Sequence, residues 1–156
     1  MSGFVSNFYM FVKSFGKFNG LFLALKFKFD IINNLKLPGI RTNIFLRKNT
    51  SDKATFFQVF LKRQYNIRFP IKPEVVIDGG ANIGLFTVMI KNKFPAAKVI
   101  CIEPDAENYR VLEKNIHSYD NVFCEHYGLW SNNTLLKVYD KFERGKNETI
   151  DKIEWK

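Results

Sequence analysis

The chain has 156 residues, of which 46% are hydrophobic and 16% aromatic, and a formal net charge of +9 at pH 7. This length suits one domain with a hydrophobic core, and the apolar content excludes an intrinsically disordered chain. Residues 1–50 hold eight lysines and arginines against Asp30 alone, so the basic character belongs to the N-terminal region. No nucleic-acid partner is expected, because no recognisable nucleic-acid-binding motif accompanies this positive charge.

A regular series of large apolar residues predicts an amphipathic helix at the N-terminus. Its members recur at alternating steps of four and three residues, which would place them on one stripe of a helix. They are Phe4, Phe8, Phe11, Phe15, Phe18, Phe22, Leu25 and Phe29. Gly16 and Gly20 weaken this helix, so we expect a break near its middle.

Two interpretations of residues 1–37 stay open. In the first, the phenylalanine face docks on the domain that follows; in the second, a basic amphipathic helix lies on an anionic membrane surface. Lysines interrupt the apolar residues, so a membrane-spanning helix is not expected. No small-residue cleavage site marks a secretory signal.

Cys101 and Cys124 lie inside apolar runs typical of buried strands. Their spacing suits no metal site, and His117 and His126 are the only histidines. We interpret the cysteines as reduced, buried thiols of a cytoplasmic protein. The expected location is therefore cytoplasmic, either free or peripheral to a membrane through residues 1–37.

Residues 38–73 are expected to form a lead-in of one strand and one helix. Pro38-Gly39 marks the boundary, and a strand is predicted over residues 40–47. A helix start at residues 49–52 leads into an apolar segment that ends at Leu61.

From residue 74 to residue 156, predicted strands and helices alternate. The strands cover residues 75–78, 98–103 and 122–126, with a smaller fourth strand at 135–139; the helices cover residues 83–94 and 105–117. Strands of nearly continuous apolar content that alternate with helices predict a parallel sheet covered on both faces, and hence an α/β fold.

The sequence VVIDGGANIG, from Val75 to Gly84, connects the first of these strands to its helix. Glycines directly after a parallel strand allow a ligand to approach the backbone closely. Asn82 tolerates left-handed dihedral angles, so it can stand where a glycine is otherwise expected. The next helix directs its N-terminal amides toward the same crevice. The stretch therefore predicts a nucleotide-type binding loop.

The loop excludes or disfavours two common nucleotide motifs. Leu85 follows Gly84 where a Walker A loop needs lysine, which excludes that motif. Ala81 occupies the middle glycine of the dinucleotide fingerprint, and the carboxylate of Asp78 sits poorly beside a pyrophosphate. A carboxylate suits a sulfonium and an amino group. The pattern Asp78-x-Gly80-x-Asn82-x-Gly84 resembles the Asp-x-Gly-x-Gly-x-Gly loop of S-adenosyl-L-methionine-dependent methyltransferases, with asparagine at the central glycine.

Glu103 ends the second predicted strand, 19 residues after Gly84. An acid at this position can accept both hydroxyls of a ribose. Because such an acid binds the ribose of NAD and of S-adenosyl-L-methionine alike, Glu103 indicates a ribose-containing ligand. Only the sequence of the loop distinguishes the two cofactors. A Rossmann-like domain without a cofactor stays open as a structural alternative.

Residues 40 to 153 together resemble the FkbM-type methyltransferases. The resemblance is carried by Val76–Gly84, Ile102–Asp105, Asn108, Leu112 and Asn115, and upstream by Ser51, Asp52, Thr55, Phe56, Gln58, Val59, Phe60 and Tyr65. It implies a Rossmann-like class I methyltransferase fold and methyl transfer from S-adenosyl-L-methionine to oxygen. The implied acceptor is a sugar, a glycan or a metabolite hydroxyl.

The resemblance also implies the residues of a cofactor site. The loop around the methionine end of the donor would be Asp78, Gly79, Gly80, Ala81, Asn82 and Gly84. Glu103 would hold the ribose, and Pro104 and Asp105 would lie beside the adenine. No residue is assigned as the catalytic base, since a lone histidine such as His126 is more often structural.

The sequence departs from this family at its C-terminal end. The family carries a later strand with an Asp-x-Glu-Gly motif; residues 149–153 resemble the segment before it, and no such motif follows. We therefore expect the first half of the parallel sheet, inactive alone, with a first-strand edge that pairs with a missing C-terminal half. Two further hypotheses stay open: a non-catalytic membrane-associated or binding module carried by the N-terminal helix, and an NAD-dependent oxidoreductase.

Overall fold

A computed structural model describes residues 2–65, 70–132 and 134. Two helices come first, followed by a short antiparallel pair of strands, a short helix, and then alternating parallel strands and helices. The elements are α1 (Ser2–Phe15), α2 (Lys17–Lys28), β1 (Leu35–Lys36), β2 (Asn43–Ile44), α3 (Asp52–Phe56) with a π-helical turn (Phe57–Leu61), β3 (Val75–Gly79), α4 (Leu85–Lys93), β4 (Lys98–Ile102), α5 (Ala106–Ile116) and β5 (Val122–Glu125). The strand predicted at residues 135–139 lies outside the described residues.

The predicted N-terminal helix is two helices that pack against each other. The chain turns between them at Gly16, whose φ of +81° suits a residue without a Cβ. Gly20 lies directly against α1, because a Cβ on it would come within 2.5 Å of the Val12 Cα. The break predicted near the middle is confirmed, and the second glycine allows the two backbones to approach. Across the part of the chain that the structure describes, no helix combines the length and apolar character needed to cross a bilayer.

The prediction that one continuous apolar stripe runs through residues 4–29 is wrong, because the stripe changes from the buried side to the exposed side after Gly16. In α1, Phe8 and Phe15 are partly buried against the core and Phe11 is fully buried. In α2 the buried residues are instead Gly20, Leu23 and Ala24. The turn at Gly16 changes the chain direction, so the series continues on the solvent side of α2.

An aromatic cluster attaches α1 to the rest of the protein. The ring of Phe11 lies 6.3 Å from that of Phe56 and 5.7 Å from that of Phe57, between centroids. Phe27 of α2 completes the cluster at 4.9 Å from Phe11. The docking interpretation therefore holds for α1.

The strand predicted over residues 40–47 is only two residues long, and β2 pairs with β1 in antiparallel register. Beyond β2, a side chain replaces the partner strand. The N–H of Phe45 donates to the amide oxygen of Asn115 (2.7 Å), and the amide nitrogen of Asn115 donates to the carbonyl of Phe45 (3.2 Å). The same nitrogen donates to the carbonyl of Ile83 (2.8 Å). This pairing with a helix side chain ends the ladder.

The strands β3, β4 and β5 form a parallel sheet in the order β3-β4-β5. One face carries Val99 and Cys101, which are fully buried beneath α4 and α5. The opposite face carries Val75, Ile77 and Phe123, which are at least half exposed. The α/β prediction is confirmed as a partial Rossmann-like fold. Helices cover one face of the sheet among the described residues, where the sequence predicted cover on both.

The two cysteines are neighbours in this sheet. Cys101 and Cys124 are Cα partners across β4 and β5. Both are free thiols, Cys101 buried and Cys124 partly buried. The predicted strand positions are confirmed for both cysteines, but the predicted burial is confirmed only for Cys101.

Candidate functional site

The loop after β3 turns across the carboxyl end of β4. The N–H groups of Gly80 and Ala81 both donate to the carbonyl of Ile102, at 2.8 and 3.0 Å. Every second residue then adopts a left-handed conformation: φ is +74° at Gly80, +50° at Asn82 and +77° at Gly84. This alternation explains the spacing of the motif. Asn82 stands in for a glycine as predicted, and its side-chain oxygen accepts the N–H of Ile83 (2.7 Å).

The three glycines of the loop have different surroundings. A Cβ on Gly84 would come within 2.5 Å of the Leu112 side chain, so this glycine lets the loop pack on α5. A Cβ on Gly79 would meet Leu129 at the same distance. A Cβ on Gly80 would meet no atom within 4 Å. The open side of the loop therefore lies at Gly80, where a ligand can reach the backbone.

Asp78 lies at the carboxyl end of β3 and is buried. The Thr87 hydroxyl, in the first turn of α4, donates to its Oδ2 at 2.6 Å. Burial raises the pKa of Asp78, against the lowering effect of Thr87, and the nearby carboxylate of Glu103 raises it further. A cation next to Asp78 would favour its charged form. Thr87 was not identified from the sequence, although its place three residues after Gly84 was a usable signal.

Glu103 lies at the carboxyl end of β4, beside the loop, and is also buried. Its Oε2 accepts the N–H of Asn82 (2.7 Å). Its Oε1 accepts the N–H of Asp105 (3.0 Å) and, at 3.4 Å, the side-chain amide of Asn108. Because an ionised carboxylate has about four acceptor positions, roughly one stays available, and the long bond to Asn108 is the easiest to exchange. Glu103 thus joins the loops after β3 and β4.

Pro104 and Asp105 connect β4 to α5. The side chain of Asp105 caps α5 by accepting the N–H of Asn108 at 2.7 Å. A ring nitrogen of His126 lies 3.0 Å from the Pro104 carbonyl, and the His126 ring lies on Tyr109. His126 therefore has a structural contact at the edge of the site, and the structure brings the loops after all three strands together.

A polar network connects the site to the lead-in segment. The guanidinium of Arg47 contacts both carboxylate oxygens of Asp52, at 2.9 and 3.0 Å, and Asp52 is fully buried. The same guanidinium donates to the side-chain oxygen of Asn108 at 2.5 Å. Asn108 in turn contacts Glu103. Arg47 was not identified from the sequence, because its partner Asn108 is 61 residues away.

The chain is similar over part of its length to three curated proteins, and no protein-family model matches it. Methyltransferase sdnD of Sordaria araneosa is 40% identical over 60 residues, which are 38% of this chain and 23% of that protein. Methyltransferase 1 of Beauveria bassiana is 28% identical over 84 residues, 52% of this chain and 33% of that protein. The AMB antimetabolite synthetase AmbE of Pseudomonas aeruginosa is 49% identical over 92 residues, 58% of this chain and 4% of that protein.

The matched stretches are thus a third or less of each relative's length. Two of the three proteins are named methyltransferases. These partial similarities support a methyltransferase family for the chain.

Proposed function

We propose that the chain binds S-adenosyl-L-methionine as part of an FkbM-type methyltransferase that methylates a hydroxyl oxygen. The observation that carries this proposal is the loop at residues 80–84, in which every second residue is left-handed. Two buried carboxylates lie beside this loop. Those carboxylates, Asp78 and Glu103, end adjacent strands. The two relatives named methyltransferases add independent support.

The residues of the loop fit the methionine end of this donor. The open side at Gly80 admits a ligand against the backbone. Burial and the nearby Glu103 carboxylate raise the pKa of Asp78, and an amino or sulfonium group beside it would favour its charged form. A pyrophosphate would instead add negative charge to the two carboxylates. The loop therefore favours a cationic ligand over a dinucleotide.

Glu103 fits a ribose hydroxyl at its remaining acceptor position. A second hydroxyl would exchange with the Asn108 amide, whose contact is 3.4 Å long. Pro104 and Asp105 follow directly and would flank the adenine, with the Asp105 carboxylate kept on the N-terminus of α5. Glu103 would thus orient the ribose and also hold the Asn82 N–H in place.

When bound, the donor supplies a methyl group that is already electrophilic, so the protein contributes mainly position and orientation. The acceptor is a hydroxyl of a sugar, a glycan or a metabolite. We propose that its binding wall is a layer that covers the sheet face of Val75, Ile77 and Phe123. The half-exposed apolar side chains there support such a covering layer.

Isothermal titration calorimetry on the full chain tests the donor assignment. We expect S-adenosyl-L-methionine and S-adenosylhomocysteine to bind and NAD to bind far more weakly or not at all. Asp78→Asn should weaken the cationic donor more than S-adenosylhomocysteine, whose thioether carries no charge. If NAD binds and neither S-adenosyl-L-methionine nor S-adenosylhomocysteine binds, the proposal is contradicted and an oxidoreductase is favoured.

A further inference from the structure

Helix α2 has an apolar face on each side. Gly20, Leu23 and Ala24 point into the protein and are buried. The opposite face carries four large apolar side chains spaced by four, three and four residues, as on one stripe of a helix. These are Phe18 (89% exposed), Phe22 (59%), Leu25 (41%) and, directly after the helix, Phe29 (65%). We call these four residues the outer aromatic face.

Lysines border the outer aromatic face. The ammonium of Lys26 lies 5.0 Å from the ring centre of Phe22, and that of Lys28 lies 5.7 Å from the ring centre of Phe29. Lys17 begins the same helix and is exposed. No acidic residue occurs before Asp30, and the Asp30 carboxylate pairs with Lys48 and Lys53. Within α1 and α2, the charged residues that border this face are therefore all lysines.

We propose that the outer aromatic face docks on an anionic lipid surface. Exposed aromatic side chains flanked by lysines suit the boundary between acyl chains and headgroups, where rings enter the apolar layer and ammonium groups meet phosphates. A second copy of the chain is a poorer occupant, since a symmetric contact would bring the same lysines together without acids to offset them.

The rest of the hairpin gives this face a fixed position. Helix α1 is attached to the domain through Phe11 and its aromatic partners Phe56 and Phe57. Gly20 has no Cβ, which allows the backbone of α2 to lie directly against α1. The two interpretations of the N-terminal region therefore apply to different helices: α1 docks on the domain, and α2 presents a lipid-binding face.

Vesicle sedimentation with the full chain tests this proposal. The vesicles are phosphatidylcholine alone and an equal mixture of phosphatidylcholine and phosphatidylserine. We expect binding to the mixed vesicles that weakens with salt, and much weaker binding to the neutral ones. The double variant Phe18→Ser/Phe22→Ser should bind at least about tenfold more weakly. Lys17→Gln/Lys26→Gln should lose the preference for phosphatidylserine.

The matched control is Phe123→Ser, because Phe123 is half exposed and also has a lysine over its ring, at 4.9 Å. This variant should bind vesicles like the unmodified chain. Circular dichroism checks that all variants keep their helices. Unchanged binding by Phe18→Ser/Phe22→Ser, or no binding to mixed vesicles, overturns the proposal. A dimer in size-exclusion chromatography that this variant abolishes, without vesicle binding, overturns it in favour of a second copy.

Discussion

The carboxylate of Glu103 accepts the backbone N–H of Asn82 at 2.7 Å, across the two loops that end β3 and β4. Asn82 is the left-handed residue at the centre of the glycine loop. A residue proposed to bind a ribose thus also fixes the loop proposed to bind the methionine end. Its replacement should therefore affect both parts of the donor site.

Glu103→Ala should weaken S-adenosylhomocysteine binding by about 1.5–3 kcal/mol, since it removes a charge-assisted acceptor and leaves the Asn82 N–H without its partner. Glu103→Gln should cost less, because an amide oxygen still accepts from Asn82. Calorimetry measures both affinities. Unchanged affinity in both variants would mean that the ribose lies elsewhere.

Thr87→Val should destabilise the protein by about 1–3 kcal/mol, because the buried carboxylate of Asp78 loses its hydroxyl donor. Thr87→Ser keeps the hydroxyl and serves as the control. Urea denaturation followed by circular dichroism measures the free energy of unfolding. Equal stability of the valine and serine variants would show that the hydroxyl does not support Asp78.

The raised pKa of Asp78 predicts a specific pH dependence of stability. The folded state binds this proton more tightly than the unfolded state, so this group's contribution to stability falls as the pH rises from the ordinary aspartate pKa through the raised folded pKa. Asp78→Asn should remove that part of the decrease. Urea denaturation at a series of mildly acidic pH values measures it. A steeper decrease in the asparagine variant would contradict the sign.

Arg47→Met should cost about 3 kcal/mol of folding stability, because it leaves the fully buried Asp52 without its cation. The control is Arg41→Met, whose ion pair with Asp120 is largely exposed and should contribute at most about 1 kcal/mol. Arg47→Met/Asp52→Asn should recover part of the loss. Equal effects of the two single arginine variants in thermal and urea unfolding would argue against the buried pair.

Much of the α/β unit could be predicted from the sequence. Its strands are continuous apolar runs, and the helix from Ala106 begins at a capping aspartate, so those boundaries differ from the prediction by only one or two residues. The left-handed Asn82 was also predictable, since few other residues tolerate that conformation.

The remainder depended on contacts that spacing does not encode. The series of phenylalanines has the same period on both sides of Gly16, so only the turn at that glycine decides that Phe11 is buried and Phe18 exposed. Strand β1 is two residues long, below the length at which alternation is informative. Arg47 and Thr87 acquire their roles only from partners that the fold brings to them.

The side chain of Asn115 acts in place of a peptide group, because its amide bonds both backbone polar atoms of Phe45 and the carbonyl of Ile83. The Phe45 amide can therefore exchange with solvent only when its bond to α5 opens. Its hydrogen-exchange protection should follow the opening of α5 and the glycine loop, and not that of the two-residue pair β1–β2. Exchange of this one amide in the lead-in thereby reports whether α5 and the glycine loop open together.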